Sequence, residues 1–104
     1  MRFDAGWTDV PTASTRVRLS ADAGIVATAR VLWARFKGSP GNAGTVYVGV
    51  ADVSASHGWP LENNDDVGIE LPIRDLGGSI PAGDIWFDAA NNGDDVAWAL
   101  VIQD

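Results

Sequence analysis

This sequence predicts an all-β fold: two antiparallel sheets packed as a β-sandwich of about 6–8 short strands, jelly-roll or Ig-like in type. Three observations lead there. Apolar residues recur with a period of two in several short runs. Clusters of Gly, Pro, Asn and Asp separate those runs, with 12 glycines and 5 prolines in 104 residues. No segment demands a helix. The length suits one domain, and 46% hydrophobic against 20% charged is a globular composition.

The elements follow in order. Residues 1–14 contain Pro11 and show no sustained period. They predict an extended N-terminal arm with Phe3 and Trp7 as anchors, leaving 15–104 as the sandwich domain. In 15–19, Val17 and Leu19 face one way and Arg16 and Arg18 the other. Residues 20–24 read as a turn. The stretch 25–36 supports two readings. Ile25, Ala29, Leu32 and Phe36 fit a helical stripe, whereas a strand apolar on both sides sets Val31 and Trp33 against Leu32, Ala34 and Phe36. The strand is preferred because 38–44 is a hairpin-type loop, and hairpins join strands.

In 45–50, Val46, Val48 and Val50 share one face, and Thr45, Tyr47 and Gly49 the other. Residues 67–73 alternate Ile69, Leu71 and Ile73 with Gly68, Glu70 and Pro72. Pro72 cannot donate to a ladder, which places this segment at a sheet edge or strand end. In 84–89, Ile85 and Phe87 point together and Trp86 is reversed. In 96–102, Val96, Trp98, Leu100 and Ile102 oppose Ala97, Ala99 and Val101. A single sheet would leave Trp33, Trp98 and the valine face bare. Two sheets about 10 Å apart cover them, so both tryptophans are read as core.

Candidate chemistry is sparse. His57 is the only imidazole, beside Ser54 and Ser56. Nucleophilic catalysis needs a base and a nucleophile in one productive geometry, which neighbours on a tight turn rarely adopt. The stretch reads as a polar turn with Gly58 supplying positive φ, and no enzyme is predicted. Acidic runs follow Asn63-Asn64 and Asn91-Asn92-Gly93. They read as turns. The alternative is a calcium site built from Asp65, Asp66, Asp94 and Asp95, although the spacing of a known calcium loop is absent. There is no cysteine, which excludes disulfides and thiolate metal sites, and no cofactor is predicted.

Charge narrows the partners. Seven basic residues oppose fourteen acidic ones, for a net charge of −7. Nucleic acid needs a basic footprint and is not expected. No run approaches the ~20 apolar residues of a membrane span, and residues 1–7 lack a signal-type apolar core. The expectation is a protein kept in a cytoplasm or assembled there. Trp7 and Trp59, in the arm and a loop, either pack locally or sit in an interface, where tryptophan is enriched. Trp86 must leave the main core if Phe87 enters it, unless another subunit covers the outer face.

Asn42-Ala43-Gly44-Thr45-Val46-Tyr47-Val48-Gly49, then Val53-Ser54, then Gly58-Trp59-Pro60-Leu61 resemble a recurrent module of tailed-bacteriophage structural proteins. Glu70-Leu71 with Asp75-Leu76, Ile85-Trp86-Phe87-Asp88-Ala89 and Gly93-Asp94-Asp95-Val96-Ala97-Trp98 continue the likeness. It covers roughly 15–104, most specifically 42–98. Residues 72–83 look longer than the usual connector, and the N-terminal arm lies outside the pattern. The resemblance implies a β-rich virion component, above all a head decoration (cement) protein on the capsid exterior, assembled in host cytoplasm. Its implied partners are the major capsid protein and itself, as a homotrimer. A tail- or fibre-associated module binding a carbohydrate or receptor is the alternative. Phe3, Trp7, Trp59, Pro60, Leu61, Ile80 and Trp86 are the contact candidates.

Overall fold

A computed structural model describes residues 1–62, 69–71, 73 and 78–103, with the side chains of 69–71 left aside. The strands are β1 (Arg2–Val10), β2 (Val17–Arg18), β3 (Arg30–Gly38), β4 (Val46–Gly49), β5 (Trp59–Leu61), β6 (Ile69–Leu71), β7 (Ile80–Pro81), β8 (Trp86–Ala89) and β9 (Asp94–Gln103). Sheet one runs β1-β9-β3-β6, with β7 also on β3. Sheet two runs β2-β8-β4-β5. Every pairing within them is antiparallel. The fold is thus all-β, two sheets enclosing one core.

Strand β9 is the spine. Val96, Trp98, Leu100 and Ile102 are buried on its inner face and Ala97, Ala99 and Val101 are half-exposed on the other. Phe36 of β3 meets Phe87 of β8 edge-on, with ring centroids 5.8 Å apart, which ties the two sheets together. The indole Nε1 of Trp98 donates to Thr8 Oγ1 at 3.0 Å inside the core. Gly6 lies opposite Trp98 in the ladder, and a Cβ there would stand 3.0 Å from the indole ring. A side chain at position 6 would push against the ring.

Several sequence expectations need correction. The N-terminal arm is not separate from the sandwich: β1 pairs with β9 over nine successive positions. Thr8 and Val10 are buried, so a period of two was present but short, masked by Gly6 and polar Thr8. The expected strand over 15–19 and turn over 20–24 become two residues of β2 followed by a short helix, α1 (Leu19–Ala23). Gly24, at φ 70°, closes that helix.

The strand in 25–36 begins only at Arg30, and the ladder slips between Val31 and Trp33. The extra residue, Leu32, lets Val31 and Ala34 both point inward and turns Trp33 outward. Trp33 is therefore half-exposed rather than core. The loop at 38–44 is not a hairpin: it carries the chain from β3 in sheet one to β4 in sheet two. Its ends are held by side chains that imitate a ladder. Asn42 donates through Nδ2 to Asp95 O (2.8 Å) and accepts from Asp95 N (2.7 Å). Buried Asp94 accepts from the amides of Ala43 and Gly44 at 2.9 and 3.0 Å.

Candidate docking surfaces

The predicted contact residues separate into two regions. Phe3 and Trp7 lie together on the outer face of sheet one, 66% and 69% exposed. The register sets three rows across β1, β9 and β3: Phe3–Val101–Trp33, Ala5–Ala99–Arg35 and Trp7–Ala97–Lys37. Asp9 and Asp95 pair beyond the last row. Alanines floor this face and aromatic and basic side chains wall it. A depression of about 300 Å³ opens along Arg35, Lys37, Ala97 and Ala99.

Sheet two carries the second region. Trp59 opens the edge strand β5, opposite Val48, and is 59% exposed. Pro60 is exposed beside it and blunts the edge for backbone pairing. Leu61, in contrast, is 2% exposed and belongs to the core, opposite Val46. As a contact candidate it is corrected: Trp59 and Leu61 share one side of β5, and only Leu61 lies deep enough to be covered. Ile80 is half-buried and packs on the same core, opposite Val31.

The 50–58 loop positions Trp59. Val53 is buried and sits against Gly49 and Gly58, where a Cβ would lie 2.9 and 2.7 Å from its Cγ2. Gly58 is needed for this approach, and its φ is not among the positive ones. Ser54 and His57 exchange backbone hydrogen bonds of 3.0 and 3.2 Å. The His57 Nε2 lies 3.3 Å from Asp52 Oδ2, both well exposed. Ser54 Oγ is 3.2 Å from Ser56 Oγ. The polar-turn reading of this stretch therefore holds, and the histidine's carboxylate partner is Asp52.

A cleft of about 560 Å³ adjoins the loop, lined by Arg16, Arg18, Asp52, Asp84 and Trp86 among others. Trp86 faces outward, as its reversal against Phe87 predicts. Arg18 lies over its ring at 5.1 Å and donates through Nε to Gly83 O at 3.0 Å. That stacking covers part of the indole and holds the guanidinium in place.

Of the calcium candidates, Asp65 and Asp66 lie outside the described residues, as does Pro72. Asp94 spends both oxygens on backbone amides. Burial first, then a hydrogen bond and repulsion from Asp9, then repulsion from Asp94, push the Asp95 carboxyl above its ordinary value of 3.8. Among the described residues no group of His, Cys, Asp or Glu is arranged to hold a metal ion. The described half of the 72–83 connector is stitched to the body. Ala82 and Gly83 donate to Ala29 O and Ala27 O at 2.8 and 2.9 Å, and Arg30 holds Ser79.

The Arg35/Lys37 pair is what residue-by-residue reading missed. Spaced by two, it shares one side of β3, while of the expected Arg16/Arg18 pair only Arg18 lies on a strand. One pair borders the cleft and the other lines the face of sheet one. No known family, curated protein or solved structure matches the chain.

Proposed function

We propose that the chain is a capsid decoration protein of a tailed bacteriophage, held on the outer capsid surface through the Trp59–Pro60 edge of sheet two. The observation that carries this reading is the placement of Trp59. The opening stretch of the phage resemblance, 42–61, folds as one unit that buries Val46, Val48, Val53 and Leu61 and leaves Trp59 outside. A large aromatic held on a strand and backed by a packed loop is the kind of residue that dominates protein interfaces. An acidic surface suits a capsid exterior, away from packaged DNA.

The test is cryo-electron microscopy of the virion encoded together with this chain. Density on the outer capsid surface, with Trp59 against the major capsid protein, is the expected result. Density confined to a tail tip, or absence from the particle, sinks the proposal. A second reading, a receptor-binding module of a tail or fibre, draws on the cleft beside Trp86. Its volume of about 560 Å³ lies within the usual range for small-ligand sites. Carboxylates at Asp52 and Asp84 would accept sugar hydroxyls there. Binding on a glycan array that disappears in Asp84→Ala supports it; silence across the array removes it.

A further inference from the structure

We infer that the outer face of sheet one is a self-complementary surface on which two copies of this chain pack, sheet against sheet, about a twofold axis running along β9. This goes beyond the capsid-binding proposal and does not depend on it.

Charge is the first argument. Two chains of net charge −7 repel, so they meet at least cost where the local charge is zero. On the outer face of β1, β9 and β3 the acids are Asp9 and Asp95 and the bases Arg30, Arg35 and Lys37, two against three. This face is within one charge of neutral on an otherwise acidic body.

The arrangement of those groups is the second. Asp9 and two exposed aromatics stand on β1, Asp95 on the central β9, and the bases and Trp33 on β3. A twofold parallel to β9 lays the β1 column of one copy over the β3 column of the other without shifting the rows. Trp7 then meets Lys37 of the second copy, an aromatic face against a cation. Phe3 meets Trp33, and Asp9 comes within reach of Lys37. A twofold perpendicular to the strands lays each column on its own copy, so that the bases of β3 face the bases of β3 and Asp9 meets no cation. The residue pattern thus selects one axis of the two that aligned sheet packing allows.

The alanines are the third. Ala97 and Ala99 fall on the axis, where each faces its own copy, and their small size lets the sheets approach. The Asp95 carboxyls sit at the end of the axis, where sheet twist splays the two faces apart. A face three strands wide is smaller than a standard interface of about 800 Å² per partner, so the pairing is concentration-dependent. It also replaces the threefold association implied by the resemblance with a twofold one.

Sedimentation equilibrium over a concentration series gives the first measurement. A mass rising from 10.9 kDa toward twice that value is expected, with Ala99→Glu held at the monomer mass while its circular dichroism is unchanged. Cross-linking gives the second and uses the absence of native cysteine. Ala99→Cys, on the axis, should be joined into dimers by a bismaleimide of about 10 Å reach, the spacing of packed sheets. Ala5→Cys, off the axis, should not be, since it lies over Arg35 of the second copy. A wild-type mass that stays monomeric, a trimer, or equal cross-linking at positions 5 and 99 overturns the inference.

Discussion

The outer faces of the two sheets use the same residue types, tryptophan and arginine above all, and present them differently. On sheet one, β1 and β9 stay in register for nine positions, so alternate residues form straight rows with Phe3 beside Val101 and Trp7 beside Ala97. On sheet two the strands are two to four residues long. Arg18 folds onto Trp86, and Trp59 stands at an edge beside Pro60. Strand length makes the difference. A long strand repeats its period often enough to build a flat face. A short one ends in loops whose side chains turn back and shape a cleft. A flat face suits another flat face, and an edge with a cleft suits a partner of its own shape.

The largest expected effect tests whether the two faces share one folding unit. Phe87→Ala removes the ring that joins the sheets and should cost about 3–5 kcal/mol. In a urea titration, tryptophan fluorescence and far-UV circular dichroism should shift together to lower denaturant. Separate transitions would mean that the sheets unfold independently.

The next pair of variants separates the faces. Trp59→Ala and Trp7→Ala remove exposed rings, and each should change folding stability by less than about 0.5 kcal/mol. Their binding effects should not overlap. Trp59→Ala is expected to weaken capsid attachment by about 2 kcal/mol or more, the scale of an interface anchor. Trp7→Ala should leave attachment intact and lower self-association in sedimentation. If either substitution impaired both, the assignment of one partner to each face would fail. Thr8→Val asks how firmly β1, which carries Trp7, is held. It strips the buried Trp98 N–H of its acceptor and should cost about 1–3 kcal/mol in the same urea titration.

How much of this could be read from sequence depended on strand length too. The inner and outer faces of β9 follow directly from its alternation, and so does the opposition of Phe87 and Trp86. Trp33 was wrongly placed in the core, because one bulged residue at Leu32 reverses the phase of everything after it. Only the partner strand fixes that slip. The arm was missed for a related reason: Gly6 and Thr8 occupy inner positions where an apolar residue would announce a strand. Gly6 makes room for the Trp98 ring, and Thr8 accepts its N–H. Those roles exist only once β9 lies alongside. At the candidate surfaces, Trp7, Phe3 and Trp59 were legible as unplaced aromatics. Leu61 was misassigned because it shares a side of β5 with exposed Trp59, and alternation does not tell the two apart; only their depth in the fold does. The spacing of Arg35 and Lys37 was visible, but its meaning required knowing that Ala97 lies between Lys37 and Trp7.

The smallest expected effect lies at the acidic end of sheet one's outer face. Folding raises the Asp95 carboxyl above its ordinary value of 3.8, through burial first and then its contact with Asp9. The folded state therefore holds that proton more tightly than the unfolded chain does. Well above the folded value both states are ionised, and keeping Asp95 charged in the fold opposes stability. Below 3.8 both states are protonated and the penalty is gone. Asp95→Asn removes the charge altogether. It should raise the denaturation midpoint modestly at neutral pH, with the advantage shrinking as pH falls through the folded value and toward 3.8. Thermal denaturation of both proteins across that range measures it. An advantage that grew toward acid would reverse the sign and show that Asp95 is stabilised, not strained, by its neighbours.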